Sequence, residues 1–343
     1  MPQVIQAQEF LQLSAKYPVI DVRSPGEYDN AHIPGALALP LFSNEERAII
    51  GTIYKKSGKV KAVTKGLEIA GPKLSSFAKF ALSLKSDYLL LYCWRGGMRS
   101  SSMAWLLETL GINCLLLEGG YKSYRSCIRA ELAKPYKLIV MGGYTGSGKT
   151  ELLQHLKNNN SQVVDLEAIA NHKGSAFGAI GQPDQPSNEM FENNLYYQLS
   201  RLNRSQTIWV EDESHNVGRV FIPEEFFGQM RLSPIIVIEA PFNQRLQRLL
   251  NDYGNSPVDH LKHSIKKIEK RLGYDNCKMA IEACDKGNLK LAAEICLTYY
   301  DKAYSNQLET RYSDKLNSLP KITFSNTEIS QTIKSLIQLA DTI

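Results

Sequence analysis

Eight consecutive residues constrain this chain more than any others: Gly143-Tyr144-Thr145-Gly146-Ser147-Gly148-Lys149-Thr150. They fit G-x-x-x-x-G-K-T and stand between an apolar run, Lys137 to Met141, and a helical pattern opening near Lys149. With a strand before it and a helix after it, the pattern reads as a phosphate-binding loop (P-loop) in an α/β domain. Its backbone N–H groups cradle a diphosphate, Lys149 neutralises the terminal phosphate, and Thr150 is placed to hold Mg²⁺. Such loops take their Mg²⁺ partner from a carboxylate at a strand end. The run Thr207 to Glu211 leads into Glu211-Asp212-Glu213-Ser214. Glu211 and Asp212 are therefore the candidates for Mg²⁺ or acid–base work, with Asp165, after the short run Gln162 to Asp165, a third. The loop recognises phosphates and leaves open whether they belong to a nucleotide.

A chain of 343 residues exceeds one ordinary domain. The pattern divides near Lys134, giving domains at 1–134 and 135–343. In the first, Pro18 to Val22, Tyr88 to Tyr92 and Ile112 to Leu117 read as buried strands. Met103, Leu106, Leu107 and Leu110 recur at helical spacing between the last two. Strands alternating with helices imply an open parallel sheet. The second domain repeats the alternation, adding a strand at Pro234 to Glu239, and then turns helical, with long patterns across 189–204 and 256–304. The expected fold is α/β in two domains, the second with a helical C-terminal region. An insert at Ser43 to Ser75 is rich in lysine and glycine.

Hydrophobic residues make up 43% of the chain, enough for real cores. No apolar run approaches the roughly 18 residues that span a bilayer, and the start MPQVIQAQEF lacks the pattern of a signal peptide. A cytoplasmic protein without membrane association is expected. Six cysteines are scattered without a CxxC pair, so neither a disulfide framework nor a zinc site is expected. A net charge of +5 permits a phosphate or nucleic-acid partner.

One cysteine stands apart. Tyr92 ends an apolar strand, and Cys93-Trp94-Arg95-Gly96-Gly97-Met98-Arg99-Ser100 leads into a helix. Backbone N–H groups converging in such a turn, with the helix N-terminus, make an anion site. That field favours a thiolate, and Arg95 and Arg99 add to it. Gly96 and Gly97 let the loop curl. The expected product is a thiolate able to carry sulfur or selenium, with Cys93, Arg95 and Arg99 as the catalytic candidates. Cys114, Cys277, Cys284 and Cys296 lie in strand or helix patterns and read as structural; Cys127 is undecided.

Two further stretches carry a resemblance. Asp21-Val22-Arg23-Ser24-Pro25-Gly26-Glu27-Tyr28 and Ala31-His32-Ile33-Pro34-Gly35-Ala36 resemble the rhodanese signature, and the cysteine loop sits where that family keeps its persulfide-carrying cysteine. A Cys-x5-Arg loop also occurs in phosphatases of related fold. A rhodanese unit followed by a P-loop unit is more restrictive: the chain resembles the tRNA 2-selenouridine synthase family. Leu117-Glu118-Gly119-Gly120-Tyr121-Lys122-Ser123-Tyr124-Arg125, Asp165-Leu166-Glu167, His172-Lys173-Gly174-Ser175-Ala176-Phe177-Gly178 and Val210-Glu211-Asp212-Glu213-Ser214 extend the likeness across residues 10 to about 275. It implies a selenotransferase acting on wobble 2-thiouridine in the anticodon arm of tRNA. Geranyl diphosphate, held at the P-loop, alkylates the sulfur; selenium from selenophosphate, carried by Cys93, then displaces the S-geranyl group.

For the RNA, Lys55 and Lys56 crowd the insert of the first domain, and Lys262, Lys266, Lys267, Lys270 and Arg271 follow one another at helical spacing. Such stripes give salt-sensitive phosphate contacts, though each is equally an ordinary solvated face. Tyr121 and Tyr124 are candidates to stack an unpaired base, with core or edge packing as the default reading. Three rival readings stand beside this one: an ATP-dependent tRNA sulfurtransferase, a Cys-x5-Arg phosphatase, and a non-enzymatic RNA-binding or regulatory protein, against which the intact Cys93, Arg99, Lys149 and Thr150 argue.

Overall fold

A computed structural model describes residues 2–313, 316–324 and 328–343. The chain divides into two compact units, Met1–Ala133 and Lys134–Ile343. Each is built on a five-stranded, wholly parallel sheet.

The first sheet contains β1 (Gln3–Ile5), β2 (Val19–Asp21), β3 (Leu37–Ala38), β4 (Tyr88–Tyr92) and β5 (Asn113–Leu117), in the order β1-β5-β4-β2-β3. The central strand β4 is apolar at every position, and Leu89, Leu90 and Leu91 are fully buried, as a strand covered on both faces demands. Each such side chain contributes about 1.5–3 kcal/mol by leaving water. Cys93 follows directly on β4, at the carboxyl edge of the sheet. The lysine-rich insert is a helix, Asn44–Ala70, started by a capping box between Ser43 and Glu46 and kinked at Gly58, whose φ is +84°.

The second unit contains β6 (Leu138–Gly143), β7 (Gln162–Val164), β8 (Ile208–Glu211), the short antiparallel pair β9 (Asn216–Val217) and β10 (Val220–Phe221), β11 (Ile235–Glu239) and β12 (Lys321–Thr323). Its sheet order is β12-β11-β6-β8-β7. The P-loop follows the central strand β6, and β8, directly alongside, pairs Glu211 with Met141. The helical part differs from its sequence pattern. The first long helix is Asn188–Leu199. The pattern across 256–304 resolves into four helices, Val258–Lys267, Glu269–Leu272, Tyr274–Asp285 and Leu289–Tyr312. Gly273 (φ +90°) and Gly287 (φ +72°) supply the turns between the later ones. Packed together, these helices bury their own apolar cluster, with Leu261, Ile265, Ala280 and Cys296 among its members. Among the described residues no helix is long and apolar enough to cross a membrane.

Candidate active sites

In the first unit the cysteine loop is clamped from below by the N-terminus of the helix Gly120–Leu132. The Tyr121 amide donates to the Cys93 carbonyl at 2.8 Å and the Lys122 amide to Trp94 O at 3.1 Å. This approach needs glycines. A Cβ on Gly120, whose φ is +63°, would stand 2.3 Å from both Cys93 O and Gly96 N; one on Gly96 would meet Leu117 O at 2.7 Å. The Cys93 sulfur accepts from the Gly97 amide at 3.2 Å and from the Ser100 hydroxyl at 3.2 Å. Both donors suit a negatively charged chalcogen. The two arginines part company. Arg95 is exposed, whereas Arg99 donates to Glu27 at 2.8 Å. Beneath the loop lies a feature the sequence offered only as a motif. Arg23, 1% exposed, pairs with Asp21 at 2.6 Å and lies 3.9 Å from the centre of the Tyr121 ring.

That contact corrects one expectation. Tyr121 and Tyr124 are 0% and 1% exposed and stack on each other, so neither offers a face to an RNA base. Both belong to the packing that holds the loop.

In the second unit Lys149 reaches back to the Gly143 carbonyl at 3.0 Å. The loop is also held from outside. Arg245 donates to Thr145 O and Arg248 to Gly146 O, each at 3.2 Å, and Tyr304 accepts from the Gly143 amide at 2.7 Å. The Thr150 hydroxyl donates to Glu211 at 2.9 Å and lies 3.5 Å from Glu167. Glu167, Glu211 and Glu213 bring their ligand atoms within 4.8 Å of one another. Burial first, and then each other's charge, pushes all three carboxyls up to about 8, against the pull of Lys149. Glu211 Oε2 is buried with no hydrogen-bond partner. Clustered carboxylates, one unsatisfied oxygen and a P-loop threonine make a donor set suited to a hard divalent cation, so the residues fit Mg²⁺.

Of the three carboxylates named from sequence, only Glu211 joins this group. Asp212 is held by Arg311 at 2.9 Å and Arg231 at 3.1 Å. Asp165 caps the helix Leu166–Ala170, accepting from the Ala168 amide at 2.8 Å. Sequence reasoning missed Glu167 and Glu213. A signal for Glu213 existed: residues two apart at a strand end project alike, which groups Glu211 with Glu213 and sends Asp212 the other way.

A cavity of about 780 Å³ opens from this end. The P-loop and the three carboxylates line its polar part; Phe177, Leu261, Ile265, Ala292, Cys296 and Leu297 line an apolar part. Among the basic candidates, Arg271 reaches its wall. Lys262 is paired with Asp285 at 2.8 Å and Lys266 with Glu269 at 2.5 Å; Lys267 and Lys270 are exposed. The stripe is not one helix, since the chain breaks at Ile268. Lys55 and Lys56 are exposed on the kinked insert helix.

Fold and sites together define a chain that joins a rhodanese-type cysteine loop to a P-loop unit. Comparison with known proteins agrees. A family model for the rhodanese-like domain matches residues 6–127, and one for the tRNA 2-selenouridine synthase AAA domain matches 136–318. A curated tRNA 2-selenouridine synthase of Nitrosomonas europaea is 40% identical over 252 residues, 70% of this chain and 64% of that protein. One of Salmonella schwarzengrund is 35% identical over 339 residues, 87% of this chain and 92% of that protein. The N-terminal domain of a protein from Clostridium difficile 630 described as ATP/GTP binding is 44% identical, covering 37% of this chain and 98% of its own, with a TM-score of 0.36. The chain belongs to the tRNA 2-selenouridine synthase family. It spans somewhat under two thirds of the length of the Nitrosomonas relative.

Proposed function

We propose that this protein converts 2-thiouridine at the wobble position of tRNA to 2-selenouridine in two steps, one at each loop. In the first, the thiocarbonyl sulfur attacks carbon 1 of geranyl diphosphate; a C–S bond forms, the C–O bond breaks, diphosphate leaves, and the N3 proton of the base passes to solvent. In the second, water cleaves the P–Se bond of selenophosphate to give phosphate and hydrogen selenide; the selenide adds at carbon 2 of the base, its protons pass to N3 and to the leaving sulfur, and the S-geranyl group departs as geranylthiol. A thiolate-like sulfur is a poor leaving group, and alkylation makes it a better one.

The observation that carries this reading is the two-part cavity of the second unit. Its polar end offers P-loop amides, Lys149 and the carboxylates, and its other end is apolar. An amphiphilic diphosphate matches both ends. Lys149 and the loop amides hold the leaving diphosphate where its charge develops. Thr150, Glu167, Glu211 and Glu213 would hold Mg²⁺, which when bound adds charge stabilisation to that group. The apolar end takes the hydrocarbon tail out of water. At the other loop, the Gly97 amide and the Ser100 hydroxyl, both donors to the Cys93 sulfur, would hold beside it the selenide anion freed from selenophosphate.

The test is mass spectrometry of nucleosides from 2-thiouridine tRNA incubated with the protein, geranyl diphosphate and selenophosphate. The reading requires S-geranyl-2-thiouridine when selenophosphate is withheld and 2-selenouridine when it is present. ATP-dependent product, or phosphate released from a generic phosphoester with no modified nucleoside, would replace it with one of the rival chemistries.

A further inference from the structure

One wall of the cavity is a single helix face. Along Leu289–Tyr312, the residues Leu289, Ala292, Cys296, Tyr300 and Tyr304 recur every three or four positions and all line the space. The C-terminal end of this face is fixed at the phosphate site, because the Tyr304 hydroxyl accepts from the first P-loop glycine, Gly143, at 2.7 Å. Its N-terminal end lies in the apolar helical cluster, against Leu261 and Ile265. Midway, Tyr300 accepts from the Ala176 amide at 3.2 Å, tying the face to the segment that carries Phe177.

We propose that this helix face is a ruler for the hydrocarbon chain of the diphosphate, and that Cys296 and Ala292 set the length it accepts. The inference rests on the reading that the cavity takes a prenyl diphosphate. At about 1.5 Å of rise per residue, Cys296 stands about 12 Å from the Tyr304 level and Ala292 about 18 Å. An isoprene unit adds four carbons to the chain, about 5 Å when extended, so a ten-carbon chain ends about 10 Å from its diphosphate and a fifteen-carbon chain about 15 Å. The tip of a geranyl group therefore falls beside Cys296, and a farnesyl group runs on toward Ala292. Both side chains are small, which leaves the chain its room; both are also buried, at 6% and 5% exposure, so a larger side chain has nowhere to turn but inward. Burial pushes the Cys296 thiol up to about 12 and raises that of Cys284, so neither competes for the allylic carbon at neutral pH.

The experiment is calorimetric titration of the full chain, with Mg²⁺, using dimethylallyl, geranyl and farnesyl diphosphates. Cys296→Phe is expected to weaken geranyl diphosphate by about tenfold or more while leaving dimethylallyl diphosphate within about threefold. Cys296→Ala, which only removes bulk, should raise the farnesyl-to-geranyl affinity ratio several-fold, by about the worth of a small cavity. Ala292→Phe should weaken farnesyl diphosphate and spare geranyl diphosphate. Thermal unfolding of each variant checks that it is folded, and the alanine variant decides the matter if the phenylalanine variants are not. If wild type binds geranyl diphosphate but no variant alters the ratios among chain lengths, the ruler is wrong and the diphosphate reading stands. If wild type binds none of the three, both fall.

Discussion

The hydroxyl of Thr150 donates to Glu211 across 2.9 Å, joining the first helical turn after the P-loop to the end of the neighbouring strand. Both residues sit at the carboxyl edge of one parallel sheet, and Glu167 and Glu213 complete the group. The sheet thus concentrates three acidic side chains beside a loop that binds anions. A divalent cation held among them would reconcile the two.

The first prediction follows from that crowding. Burial and mutual repulsion push the three carboxyls up to about 8 in the folded protein, above the ordinary glutamate value they regain when unfolded. The folded state therefore binds more protons through this window. Stability contributed by the protonated group is complete below about pH 4.3 and is lost as pH rises toward 8. Without divalent cations, Tm should fall between pH 6 and pH 8, and Mg²⁺ should restore more of it at pH 8 than at pH 6. Glu213→Gln should flatten both dependences. A Tm that rises over this range, or that ignores Mg²⁺, places the cation elsewhere.

Lys149→Ala should weaken geranyl diphosphate by about ten- to a hundredfold, the worth of one charge-assisted contact of about 1.5–3 kcal/mol. Binding of tRNA should change far less. Calorimetry decides, and a larger loss for ATP than for the prenyl diphosphate would favour the nucleotide-dependent rival.

Cys93→Ala should abolish selenium incorporation and leave geranylation intact, because the two loops belong to different units. Gly120→Ala should imitate it without touching the sulfur: the new Cβ cannot coexist with the Cys93 carbonyl at 2.3 Å, so the loop must open. Nucleoside mass spectrometry reads both products. Loss of geranylation in a folded Cys93→Ala protein contradicts the division of labour.

For the RNA surface, the ion pairs grade the lysines. Charge reversal at the exposed Lys267 and Lys270 should lower the slope of log affinity against log salt by up to about one unit for each RNA phosphate no longer neutralised. Lys262 and Lys266 already face Asp285 and Glu269, so Lys262→Ala should matter less. A Lys267→Glu, Lys270→Glu protein with the wild-type slope removes this stretch from the RNA interface.

What the sequence disclosed depended on how local the cause was. The strands at Tyr88–Tyr92 and Ile235–Glu239 are nearly continuous apolar runs at sheet positions covered on both sides, and their length and apolar content reveal them. The edge strands Gln3–Ile5, Leu37–Ala38 and Lys321–Thr323 escape, being two or three residues long and partly exposed, while the equally short edge strand Gln162–Val164 is given away by Val163 and Val164 before Asp165. Cys93 and the P-loop are legible because backbone shape writes glycines into a short stretch. The carboxylate group is not, since Glu167 arrives after one strand and Glu211 with another. Chain position alone points to Asp212, and only the fold brings Arg231 and Arg311 to claim it.

Gly148 of the P-loop has no room for a side chain because the Phe324 ring lies 2.5 Å from where its Cβ would be, and Phe324 follows directly on β12. That strand joins β11 only after the intervening helices between Glu239 and Lys321 have been made. During synthesis the chain therefore exposes a finished glycine motif long before it has a finished phosphate cradle. The residues of the first unit all precede Lys134, so they are synthesised well before that cradle exists. A chain that ends before β12 should therefore hold a diphosphate less tightly, for want of the Phe324 ring behind Gly148.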